Sequence, residues 1–152
     1  MPLKIKQSGF TLLEVLVAIV VLSLGLLGLA GLQAATLRNN QIAYYRGIAV
    51  QQTYDMADRI RANQAGAAAG NYDNLTAITP ADPDCVANVC SAANMAVADH
   101  AHWNANNARL LPAGTGTVAS AGGGAFDITI SWNENTEQAA PPPQTLVTRV
   151  QP

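Results

Sequence analysis

The sequence predicts an α+β chain: a long N-terminal helical spine, transmembrane in its first half, and a small C-terminal head of antiparallel β-sheet plus a short helix. Three observations predict it. From Phe10 to Leu32 there are 23 residues of which only Thr11, Glu14 and Ser23 are polar. Beyond Leu32, apolar side chains recur at three- and four-residue intervals with no proline before Pro80, the period of one buried helix face. Between Thr115 and Val150 short runs lie between glycine and proline clusters, and Phe126, Ile128, Ile130 and Trp132 alternate with polar residues, the period of half-buried strands.

Taken as a helix, residues 10–32 extend about 34 Å, enough to cross a hydrocarbon core of about 30 Å. The helical pattern then runs on to residue 63, with Ile42, Tyr45, Ala49, Met56 and Ile60 on one stripe. Asp55 with Arg59 and Asp58 with Arg61 stand at four- and three-residue spacing, as on a solvated helix face. Asn63 and Gly66 supply the stop. Gly25, Gly28 and Gly31 punctuate the apolar half. They allow either close packing of helices or local loosening, and glycine is also common in membrane helices generally.

Residues 64–152 form the predicted head. Ser91–Pro112, SAANMAVADHAHWNANNARLLP, reads as a helix with Ala96, Trp103 and Leu110 on one face, ended by Pro112. TGTVASAGGGAFDITISW reads as two strands joined at Gly122–Gly124, with Phe126, Ile128, Ile130 and Trp132 facing the core. TLVTRV, Thr145–Val150, is a third strand after a loop that Pro141–Pro143 keep out of the sheet. Large apolar residues are few, so a head of this size is marginal alone and the spine's stripe is expected to complete its core.

Charge placement orients the chain. Lys4 and Lys6, its only lysines, precede the apolar run, whereas the chain beyond Gln64 has two basic residues against seven acidic ones, a net of −5. Positive charge before the span places the start inside and the head outside. Cys85 and Cys90, five apart in an exported head, read as a disulfide closing a small loop. Such a bridge is worth about 2 kcal/mol by loop-closure entropy.

An ordinary cleaved secretory signal fits poorly. The apolar run is too long, and the nearest cleavage candidate, GLQAAT, places Leu32 or Gln33 where a small residue belongs. A plain signal anchor fits the length but gives no reason for Glu14, whose burial in lipid costs about 2–3 kcal/mol or more.

The stretch SGFTLLEVLVAIVVLSLGLLGL, Ser8–Leu29, resembles the N-terminus of type IV prepilins and type II secretion pseudopilins. In those families a short basic leader ends in Gly, Phe follows, and Glu is the fifth mature residue; Gly9, Phe10 and Glu14 match. The resemblance implies a leader, residues 1–9, removed by a prepilin peptidase between Gly9 and Phe10, with N-methylation of Phe10. It implies that Glu14 pairs with the N-terminal amine of a neighbouring subunit, which turns a desolvation cost into a device fixing axial register. It also implies the type IV pilin fold, with residues 10–63 as the long helix. The segment CVANVCSAANMAVADHAHWNANNARLLPAGTG with DITISWNEN, through Asp99, Trp103, Leu111–Pro112 and the SW strand, resembles the PilV family of minor pilins.

Other chemistry is disfavoured. His100 and His102 invite a zinc reading with Cys85 and Cys90. Histidines two apart on a helix diverge by about 200°, however, and zinc sites of this type space them three to five apart. The glycines at 114, 116 and 122–124 cannot form a Walker-type phosphate loop in a head without lysine. No Gly-x-Ser-x-Gly or His-Glu-x-x-His motif is present, and Asp99 is read as solvated or capping. The acidic head disfavours nucleic acid. No enzyme activity, cofactor or metal is expected, and Arg38, Arg46, Arg59 and Arg61 are read as filament contacts.

The expectation is therefore a minor pilin. On the resemblance, it starts as a single-pass inner-membrane protein of a Gram-negative-type bacterium, head in the periplasm, and then enters the pilus at the cell surface. Its implied partners are other minor pilins and the major pilin, the prepilin peptidase, the inner-membrane assembly platform and a large tip adhesin. Two rivals stand: a minor pseudopilin of a type II secretion system, and a membrane-anchored periplasmic binding module or adhesin using the loops at Cys85–Cys90 and Pro141–Pro143.

Overall fold

The computed structural model describes residues 9–134 and 142–151. Lys4 and Lys6 of the leader, and Pro141, lie outside the described residues. Helix α1 covers Leu12–Ala62, α2 Gln64–Ala68 and α3 Ala92–Leu110; strands β1, β2, β3 and β4 cover Asn74–Leu75, Thr115–Gly122, Ala125–Trp132 and Gln144–Val150. The chain divides into two compact units, Met1–Gln41 and Ile42–Pro152.

In the first unit the helix begins at Thr11, whose hydroxyl and carbonyl both accept from the Glu14 N–H, satisfying a donor that a helix start leaves orphaned. The two other hydroxyl side chains here fold back on the helix. Ser23 Oγ donates to the Ile19 carbonyl at 2.7 Å and Thr36 Oγ1 to the Leu32 carbonyl at 2.9 Å. Both hydroxyls are thereby satisfied without water, as a helix in lipid requires.

In the second unit, α1 contributes Ala49, Met56, Ala57 and Ile60 to the core, with Tyr45 and Ile48 packed at its margin. The predicted stripe is thus buried along its later half. The helix ends at Asn63, whose side chain accepts from the Gly66 N–H and starts α2. A Cβ at Gly66 would run into that capping side chain.

The sheet has the order β1-β2-β3-β4, all neighbours antiparallel. The β2–β3 hairpin closes on Gly123–Gly124 between the paired residues Gly122 and Ala125. Both loop glycines have positive φ, 61° and 78°, which the primed two-residue turn requires and only glycine adopts freely. Phe126, Ile128, Ile130 and Trp132 are all buried, as their alternation predicts. Among the described residues the sheet has four strands where three are legible in the sequence. The extra strand, Asn74–Leu75, is too short to alternate, and only its pairing with Ala119 and Val118 makes it a strand.

Helix α3 packs through Ala96 and Trp103 as expected, but Leu110 is only half-buried and Leu111, just past the helix, takes the core position. Apart from Ala98, the remainder of its buried face is polar: Asp99, His100, Asn104 and Asn107. The Trp103 indole donates to the Gln52 carbonyl of α1 at 2.9 Å. Asn104 exchanges two hydrogen bonds with the Gly116 backbone, at 2.6 and 3.0 Å, and so serves as an extra rung beside β2. Gly116 lies flat against the Trp103 ring, where a Cβ would collide with ring carbons.

Candidate functional site

The N-terminal half of α1 is the chain's most unusual surface. It contains an 18-residue window of mean hydropathy 2.8, none of it buried, and is long and apolar enough to cross a membrane. Phe10, Leu12, Leu13, Leu24 and Leu27 stand fully in the surroundings. An apolar surface this large needs lipid or another protein against it. Glu14 occupies the first helical turn, where the N-terminal end of the helix dipole favours a carboxylate. Among the described residues it makes no ion pair. It is exposed, one face of the helix placing it beside Phe10, Val15, Ala18 and Ile19. Gly9 and Phe10 are exposed and precede the helix in chain without regular secondary structure. No side chain closes over Gly25, Gly28 or Gly31: a Cβ built at each meets nothing within 4 Å.

In the head, the arrangement that sequence reasoning missed is centred on Asp99. Its Oδ2 accepts from the Tyr72 hydroxyl at 2.6 Å and its Oδ1 from Arg59 Nη1 at 3.2 Å. Asn63 Nδ2 donates to the Tyr72 oxygen at 3.0 Å and to the Ala92 carbonyl at 2.8 Å. Asp99 is therefore neither solvated nor a cap; it is a buried anchor joining α3 to the end of α1. Burial and then the Asp99 hydrogen bond push the Tyr72 hydroxyl well above its ordinary value. Burial works against the charge on Arg59, but Asp55 and Asp99 together outweigh it and hold the guanidinium more firmly protonated. The signal was available. Asp99 falls at three- and four-residue spacing between Ala96 and Trp103, on the stripe that must be buried.

Three of the four arginines read as filament contacts are engaged within the chain. Arg46 pairs with Glu134 at 2.8 Å, Arg59 with Asp55 and Asp99, and Arg61 with Asp58 at 2.8 Å. Arg38 is exposed. Cys85 and Cys90 are joined in a disulfide. His100 Nε2 meets the Thr76 carbonyl and His102 Nε2 meets Asp82, each at 2.7 Å. The two histidines thus turn to different partners, and among the described residues no group of three or more His, Cys, Asp or Glu side chains converges as a metal site.

Compared with known families, residues 4–30 match the prokaryotic N-terminal methylation motif. No curated protein and no solved structure matches the chain. The motif match, the membrane-length apolar helix and the α+β head together support a type IV pilin or pseudopilin, a structural rather than catalytic class anchored in a membrane.

Proposed function

We propose that the chain is a minor pilin that takes part in type IV pilus assembly, in priming or modifying the filament or in tip display. The observation that carries this reading is the N-terminal methylation motif over residues 4–30, with its Gly9–Phe10 junction and a carboxylate, Glu14, on an otherwise apolar, uncovered helix. A prepilin peptidase removes residues 1–9 and methylates Phe10. The freed amine of one subunit then meets Glu14 of the next. In a low-dielectric filament core such a pair is far stronger than in water, and a carboxylate left alone there is costly. Only one axial register satisfies it. Gly25, Gly28 and Gly31 leave room for neighbouring helices to approach.

The segment around Asp99, Trp103 and Leu111–Pro112, similar to the PilV family, favours a minor subunit. That subunit moves from a single inner-membrane span, head in the periplasm, into a filament with other minor pilins, the major pilin and a large tip adhesin.

Mass spectrometry of the N-terminal peptide, from sheared surface filaments and separately from the envelope, tests the reading. A peptide beginning at N-methylated Phe10 in the filaments is the expected result. The same peptide confined to the envelope leaves a secretion pseudopilin or a priming-only role, and an intact leader in both fractions overturns processing altogether. Glu14→Ala is expected to insert and be processed yet stay out of filaments; normal incorporation overturns the pairing role.

A further inference from the structure

The chain's only two histidines both grip one loop. His100 Nε2 meets the Thr76 carbonyl and His102 Nε2 meets Asp82 Oδ2, each at 2.7 Å. A carbonyl and a carboxylate only accept, so each Nε2 carries a proton. Residues two apart on a helix diverge by about 200°. A loop held by both side chains therefore passes round about half the girth of α3 between Thr76 and Asp82. Ala98 fits that path. It lies about 200° round the helix from the core residue Ala96 and outside the core cluster, yet is only 3% exposed.

The same loop is fastened a third time, at the start of α3. Cys90 directly precedes Ser91, which caps the helix by accepting from the Asn94 N–H. Its bridge to Cys85 holds the Cys85 sulfur 3.7 Å from the Asn94 carbonyl. The segment from Thr76 to Cys85 is thereby anchored at both ends, with the Asp82–His102 contact between them. None of residues 76–91 is buried, and none belongs to the core cluster. Fastenings, not core packing, hold this loop in place.

We propose that residues 76–91 are a strap round α3 and that the Cys85–Cys90 bridge is its latch: the strap stays wrapped while the bridge is oxidised and leaves α3 when a dithiol reduces it. One thiolate of the dithiol attacks a bridge sulfur, the S–S bond breaks, and the other cysteine leaves as a thiolate. The dithiol's second thiol then displaces the first cysteine and closes its own disulfide. Two electrons and two protons pass to the bridge, and two cysteine thiols remain. Freed at Cys85, the strap becomes one long loop from Thr76 to Ser91, and its grips must hold against the added chain entropy. Each grip rests on a hydrogen bond of one imidazole. The Asp82–His102 pair also stands partly in solvent, where such pairs are weak. Opening uncovers His100 and the outer side of α3 while the sheet stays packed on α1, a local opening below the global one. The inference rests on the head alone and is independent of the filament reading.

Carbethoxylation of histidine by diethylpyrocarbonate, read by mass spectrometry on the purified full chain in detergent, tests the latch. Three forms are compared: oxidised, reduced with dithiothreitol and desalted, and Cys85→Ser/Cys90→Ser. His100 is expected to react about tenfold faster in the last two than in the first, and to slow again when the reduced chain is reoxidised. Amide exchange over residues 126–132 is expected to stay equally slow in all three. Asp82→Asn with the bridge closed is expected to leave His100 slow, because the latch still holds. Unchanged His100 reactivity in the reduced and serine forms overturns the proposal. Loss of β3 protection alongside it does so too, since the bridge would then support the fold, as does release of His100 by Asp82→Asn alone.

Discussion

The Tyr72 hydroxyl donates to Asp99 Oδ2 at 2.6 Å across 27 residues of sequence. The same carboxylate accepts from Arg59, 40 residues earlier in the spine. One side chain on α3 thereby ties the helix to the end of α1 and to the chain entering β1.

Removing that side chain leaves two donors without their acceptor. Asp99→Ala is expected to destabilise the head by about 2–3 kcal/mol, the range for losing charge-assisted bonds in a partly buried site. Tyr72→Phe, which spares the Arg59 pair, is expected to cost about 1–2 kcal/mol. Chemical denaturation of the full chain in detergent, followed by near-ultraviolet circular dichroism, measures both; equal losses would show that the arginine contact contributes nothing.

Alkaline pH offers an independent reading of the same contact. Burial and Asp99 raise Tyr72 above its ordinary value of about 10. Because the folded value is the higher one, the contribution is complete below about pH 10 and is lost as pH rises beyond it towards the folded value. Stability is therefore expected to fall more steeply above pH 10 in the native chain than in Tyr72→Phe.

At acid pH the sign reverses for Asp127. Its hydrogen bond from Arg149 holds the carboxyl below its ordinary value, so this contribution is present above about pH 4 and is lost as pH falls below it. Both groups stand in solvent, so the effect is small and screened by salt. Asp127→Asn is expected to flatten the acid limb of a denaturation profile slightly, and less so at high salt.

Gly116→Ala drives a methyl into the Trp103 ring and the Asn107 amide. The expected loss is about 1–3 kcal/mol, as for overpacked cores, with a displaced indole band in tryptophan fluorescence. Gly123→Ala, where a Cβ meets open space but φ is 61°, is expected to leave that band in place.

Replacing Cys85 and Cys90 together by Ala is expected to cost about 2 kcal/mol or less. Val86 and Val89 of the bridged loop are fully exposed and outside the core, so the near-ultraviolet spectrum of the aromatic residues should survive. Its collapse would mean the bridge supports the fold itself.

Much of the molecule was legible because its signals are local. The apolar run from Phe10, the Gly9–Phe10 junction and the position of Glu14 are matters of adjacency. So are the alternation in β3 and the glycine turn at residues 122–124, since side-chain period and backbone freedom are properties of neighbouring residues. The bridge between Cys85 and Cys90 spans five residues and needed only an oxidising setting. The two-residue strand β1 carries no such signal, because its identity lies in its partner.

By itself, then, the sequence determined a membrane-length helix with one carboxylate near its start, continuing into a spine, and a small antiparallel sheet packed with alternating side chains. Only the tertiary structure decided what the polar residues do. Asp99 sits on a buried stripe where its own helix offers nothing to bind, so its role waits on Arg59 and Tyr72 arriving from elsewhere in the chain. Arg46 was an open cation until the turn after β3 brought Glu134 to it, and β4 became an edge only when the strand order placed it last among the described strands. Hydrophobic period is set by the backbone's local geometry, whereas hydrogen-bond and ion-pair partners are set by which distant segments the fold brings within about 3 Å.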